Sequence, residues 1–187
     1  MNHKVNSKKL VLTALLCAIG IVIPMFSPFK IILEPASFTL ASHVPIFIAM
    51  FISPSVALTV AIGTTLGFLL GGFPIVIVLR ALSHSIFAFL GGVFLKKHPS
   101  ILTSTKSSFL YSLVIGFIHS ICEVLVVIPF YTSSNLSQGY YDKGFLFSIM
   151  ILIGLGTVVH SMVDLWISQK IWIAIPKSII NKLVITN

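Results

Sequence analysis

Residues 73–95 read FPIVIVLRALSHSIFAFLGGVFL, an apolar run broken only by Arg80, His84 and two serines. A helix needs about 20 such residues to cross the hydrocarbon core of a bilayer. If this run crosses, the arginine near its middle costs roughly 2.5–3.5 kcal/mol on insertion scales, and something must offset it. The reading of this stretch decides the fold class and starts the search for a site.

The rest of the chain agrees with lipid as the solvent. Of its 187 residues 57% are hydrophobic and 9% charged, and the mean hydropathy is +1.09. A soluble domain carries about 25% charged residues, far more than this chain has to face water. The net charge of +8 does not point to nucleic acid, because the lysines sit at the ends of apolar runs. Lys4, Lys8 and Lys9 precede the first run, Lys96, Lys97 and Lys106 flank a mid-chain break, and Lys170, Lys177 and Lys182 follow the last. This is the positive-inside pattern. Lys30 and Lys143 remain, offset by Glu34 and Asp142. Cys17 and Cys122 lie inside apolar runs and imply no disulfide framework. Residues 8–27 imitate a signal peptide, but no small-x-small cleavage site follows, so they read as a retained first helix.

Six apolar runs follow one another, at 9–27, 41–53, 55–72, 73–95, 107–131 and 144–175. The expected fold class is an all-α membrane protein, a compact bundle of six transmembrane helices with both termini cytoplasmic. It forms one domain over residues 1–187. The connections 28–40 and 132–143 then lie outside, where a lid could form. Internal repetition is faint: Ser-His at 42–43 and 83–84, and His-Ser at 84–85, 119–120 and 160–161, are short echoes that a biased composition produces.

Three late runs carry polar pairs at i and i+4: Arg80 with His84, His119 with Glu123, and His160 with Asp164. That spacing puts both members of a pair on one helix face. At about 1.5 Å per residue from the presumed outer ends, Arg80 and Glu123 come out roughly 10–12 Å deep, with His84 and His119 a turn deeper. A guanidinium, a carboxylate and two imidazoles are thus expected at similar heights on facing helices. Two roles stay open for them. One is a buried ion pair that holds the bundle together. The other is a cavity in which Arg80 meets an anionic ligand, Glu123 orients it or binds a ligand donor, and His84 or His119 bonds a ring heteroatom. The same count puts His160 and Asp164 roughly 24–30 Å deep, which suits an interhelical hydrogen bond or a partner contact better than that cavity. Glu34 reads as a solvated loop charge or a ligand contact. Phe38, Tyr131, Tyr140 and Tyr141 read as interfacial aromatics or as walls and lid. In the first run, Ala14 and Ala18 with Gly20 close by form a flat stripe that another helix can approach.

There is no Walker A sequence, so ATP is not bound in the P-loop manner. H-E-x-x-H, G-x-S-x-G and Cys/His metal spacings are also missing, and no enzyme, metal or other cofactor is expected.

The six spans, the cytoplasmic ends, Ala14-x-x-x-Ala18 and a lid-length first outer connection resemble the S components of energy-coupling-factor (ECF) vitamin transporters. The stretches ALLCAIGIVIPMFSP, EPASFTLASHVPIFIAMFISP and GFPIVIVLRALSH are most similar to the group that takes up niacin. The resemblance implies a receptor in the bacterial cell membrane for a small water-soluble vitamin. It also implies docking through Ala14 and Ala18 on a shared transmembrane coupling subunit powered by two ATPases. For niacin, Arg80 suits the carboxylate, His84 or His119 the pyridine nitrogen, and aromatic side chains the ring faces. Alternatives are an S component for pantothenate, pyridoxine or pyrimidine precursors, and a stand-alone proton-coupled carrier with His119, Glu123, His160 and Asp164 as its relay. A third is a small membrane enzyme with Glu123 or Asp164 as acid/base.

Overall fold

Prolines and glycines cut the apolar sequence into helices. In the computed structural model of the chain, residues 7–33 and 36–183 are described, so Glu34 lies outside the described residues. The first helix, α1 (Ser7–Phe26), carries Pro24 in its last turn, and the chain then folds back as a hairpin of β1 (Lys30–Leu33) and β2 (Ala36–Thr39). The strands are antiparallel, with Lys30 opposite Thr39 and Ile31 opposite Phe38. A turn through Ala41, at φ 67°, leads into α2 (Val44–Ile52). Helix α3 (Pro54–Leu70) follows at once. The Ser53 hydroxyl accepts from Val56 N at 3.3 Å, and Pro54 stands at the first helical position, where no hydrogen bond is lost. Gly72, at φ +74°, takes the left-handed turn before Pro74 and α4 (Ile75–Lys97).

A 3₁₀ turn (Pro99–Thr103) links α4 to α5 (Thr105–Thr132). Past the short α6 (Gly139–Asp142), a π-type stretch (Leu146–Leu155) runs straight into α7 (Gly156–Ala174), and α8 (Lys177–Leu183) ends the described chain.

Helix α2, VPIFIAMFI, is apolar on every side, and eight of its nine residues are buried. It packs on α1, α3, α4 and α7, with Phe47 against Phe87 of α4 at 5.7 Å between ring centroids. Glycines bring α1 onto α3: a Cβ at Gly63 would come 2.6 Å from Cys17 Sγ, and one at Gly20 2.6 Å from Thr64 Oγ1. The outward faces carry exposed apolar side chains such as Leu15, Ile19, Leu90, Phe117 and Ile121, the surface an integral membrane protein presents to lipid.

The expected bundle of six transmembrane helices is therefore corrected. Eight α-helices occur among the described residues, and four helical segments are long and apolar enough to cross a membrane: Ser7–Phe26, Ile75–Lys97, Thr105–Thr132 and Leu146–Ala174. The run at 41–53 yields only the nine-residue α2, about 13 Å long, and the run at 55–72 yields the seventeen-residue α3, about 25 Å, against a core of about 30 Å. Hydropathy misleads here for a physical reason. A helix enclosed by protein needs the same apolar side chains as one enclosed by lipid, and α2 is enclosed by protein.

Candidate functional site

The hairpin closes over a cavity of about 180 Å³. Phe38 and Thr39 of β2 line it on one side and Phe68 and Phe73, at the turn from α3 to α4, on another. Phe68 and Phe73 are themselves stacked, with ring centroids 4.6 Å apart. The polar wall includes His43, Arg80, His84, Glu123, Thr157 and His160.

Glu123 is one hub of that wall. Its Oε2 accepts from Arg80 Nη2 at 2.9 Å and from Thr157 Oγ1 at 2.7 Å, and its Oε1 accepts from His84 Nε2 at 3.1 Å. The spacing that puts Arg80 and His84 on one face of α4 thus lets both reach a single carboxylate on α5. Arg80 is not fully used. Its Nε is buried without a hydrogen-bond partner, as is Thr64 Oγ1, and both residues line the cavity. A buried donor left unpaired costs about 1–3 kcal/mol, so these atoms favour a ligand that pairs with them.

Asp164 of α7 is the second hub, fully buried. Its carboxylate accepts from the backbone N–H groups of Ala41 (2.8 Å) and His43 (2.9 Å) and from His43 Nδ1 (3.2 Å). It therefore clamps the turn between hairpin and α2. Ser42 Oγ and His160 Nε2 lie 3.1 Å apart across the same turn. The His43 ring joins the two hubs, with centroids 4.8 Å from His84, 4.7 Å from His119 and 4.9 Å from His160. Tyr140, in the α6 segment beyond the spanning helices, is buried near this group. Burial, and less strongly Glu123, push its phenol above the ordinary value while Arg80 pulls it down, so it stays neutral near pH 7.

Of the residues singled out in the sequence, Phe38, Arg80, His84 and Glu123 line the cavity. His119 is wholly buried behind them, 4.6 Å from the His84 ring. Tyr131 packs instead on Tyr141 (4.8 Å) and Phe145 (5.4 Å). Ala14 and Ala18 are exposed on the side of α1 turned away from its buried Thr13, Leu16 and Gly20.

The expected separation of His160 and Asp164 from the cavity is corrected. His160 shares the cavity wall with Arg80, and Asp164 holds His43 beside it. A uniform rise per residue from a common plane fails for a 29-residue helix that begins with wide π-type turns, which advance less per residue than α-turns. Sequence reasoning also missed His43, Thr64 and Thr157. His43 was visible only as an echo of Ser83-His84, and the two threonines carry no signal in apolar helices.

A wider apolar groove of about 740 Å³ lies behind Phe38 and His160, bordered by exposed Leu155 and Val159. It has no charged side chain to orient a water-soluble ligand, so the smaller polar cavity is the candidate site.

Residues 4–167 match the family described as ECF-type riboflavin transporter, S component. The chain is also similar to the niacin transporter NiaX of Lactococcus lactis subsp. cremoris, 42% identical over 161 residues that cover 86% of this chain and 71% of the relative. No solved structure matches. With nearly its whole length inside the matched region, the chain belongs to the S components of ECF-type transporters.

Proposed function

We propose that the chain binds niacin in the cavity beneath the hairpin and delivers it through an ECF complex of the bacterial membrane. The observation that carries this reading is Arg80: it lines a small cavity, gives one N–H to Glu123 and keeps its Nε without a partner. A planar guanidinium with unused donors suits a carboxylate. His84, one turn along α4, bonds the Glu123 carboxylate that orients Arg80, and Phe38 and Phe68 offer ring faces.

Two comparisons point to different vitamins, since the family description says riboflavin and the 42% identical relative is a niacin transporter. Size favours niacin. A cavity of about 180 Å³ is below the roughly 300–1,000 Å³ of pockets for drug-sized ligands. It suits a single substituted ring better than a tricyclic ring with a sugar-alcohol chain.

The chain is a transport subunit and not an enzyme. In our reading a transmembrane coupling subunit docks on the exposed Ala14 and Ala18 stripe of α1, and two ATPases supply the energy. Calorimetric titration of the detergent-purified chain tests the ligand. Nicotinate is expected to saturate one site that riboflavin does not compete for. Preferential binding of riboflavin would overturn the assignment.

A further inference from the structure

Three histidines far apart in sequence meet beside the cavity, two of them, His43 and His84, in its wall. His43 comes from the turn before α2, His84 from α4 and His119 from α5, with ring centroids 4.6–4.8 Å apart. We propose that these three imidazoles form a binding site for one divalent transition-metal ion of the zinc class, with an open coordination position towards the cavity.

Four observations carry the proposal. First, each ring offers a ligand atom, and the three atoms lie within 4.8 Å of one another. A tetrahedral site with bonds of about 2.0–2.1 Å needs them about 3.3 Å apart, a closure that small side-chain rotations supply. Second, two of the rings already bond a carboxylate through one nitrogen, His43 Nδ1 to Asp164 at 3.2 Å and His84 Nε2 to Glu123 at 3.1 Å, while His119 Nε2 lies 3.5 Å from Glu123 without a hydrogen bond. Metal-bound histidines are typically oriented in this way, with the other nitrogen free to ligate. Third, His119 is wholly buried, and neither of its ring nitrogens makes a hydrogen bond. An ion would satisfy it.

The fourth observation is charge, and it rests on the anionic ligand proposed above. With neutral imidazoles, the one guanidinium of Arg80 stands against the two carboxylates of Glu123 and Asp164, an excess of one negative charge. A carboxylate vitamin is repelled by that balance, and a divalent cation reverses it. A second grouping, His43 with His160 and Asp164, fits an ion less well because the Asp164 carboxylate is already taken by two backbone N–H groups. Imidazole ligands suit zinc, nickel, copper and iron, and three histidines with an open fourth position form a recurrent zinc arrangement.

The test uses the full chain in detergent, free of affinity tag and vitamin, titrated with Zn²⁺ by calorimetry and with Co²⁺ by visible absorption. One ion per chain is expected, with the intense visible bands of four-coordinate Co²⁺. His43→Gln and His119→Gln are each expected to weaken uptake by at least about tenfold. His98→Gln, at an exposed histidine outside the cluster, is expected to change nothing. No saturable uptake by the wild type, only the weak bands of six-coordinate Co²⁺, full affinity in both cluster variants, or loss in His98→Gln would overturn the proposal. The wild-type spectrum decides if a variant fails to fold. Because no vitamin is present, a failure of the niacin assignment leaves this readout unaffected.

Discussion

At the scale of single residues, the buried charges account for one another. The cost of placing Arg80 among apolar side chains is offset by its bond to Glu123, whose other lone pairs are taken by His84 and Thr157. Asp164 works differently, because it holds backbone. Asp164→Ala leaves the N–H groups of Ala41 and His43 without their acceptor, at about 1–3 kcal/mol for the buried His43 N–H and less for the half-buried Ala41. Thermal unfolding in detergent is expected to show a marked drop for Asp164→Ala and a smaller one for Asp164→Asn, which keeps one acceptor oxygen. Equal stability of all three proteins would mean that the turn is held by something else. The meeting of Arg80, His84 and Glu123 was legible in the sequence, because i, i+4 spacing and similar depth follow from helix geometry alone. His43 was not legible. Its position depends on a turn that Asp164 pulls in from more than a hundred residues away, and no local pattern carries that information.

Among the elements, α2 and the hairpin decide whether the cavity exists. Every apolar run was legible, yet the run at 41–53 could not be assigned to lipid or to protein, because burial in either leaves the same composition. The stretch at 28–40 was legible only as an outer connection and not as a hairpin, since a four-residue strand pair gives little period-two signal. What seats it is Gly156, at the junction of the π-type stretch and α7. A Cβ there would come 2.6 Å from Cζ of the Phe38 ring, so the ring would have to shift. Gly156→Val is therefore expected to displace Phe38 and weaken niacin binding by about tenfold or more, the result of misplacing a single wall of a small site. Titration with nicotinate checks this, and unchanged affinity would show that Phe38 does not close the cavity.

Across the whole molecule, α1 buries the smallest share of its surface of the four long helices. One side is engaged through Gly20 with α3, and the other shows Ala14 and Ala18. Ala14→Trp or Ala18→Trp is expected to abolish copurification with the coupling subunit while leaving niacin affinity intact, because neither side chain lines the cavity. Normal copurification would move the docking face elsewhere. The central claim is that Arg80 receives the carboxylate of the vitamin. Calorimetry of wild type and Arg80→Ala, each shown to remain folded, with nicotinate and with the uncharged nicotinamide tests it most directly. A loss of roughly 100-fold or more for nicotinate, about 3 kcal/mol, with a clearly smaller loss for nicotinamide, is the predicted result. Unchanged nicotinate affinity, or equal losses for both ligands, would contradict it.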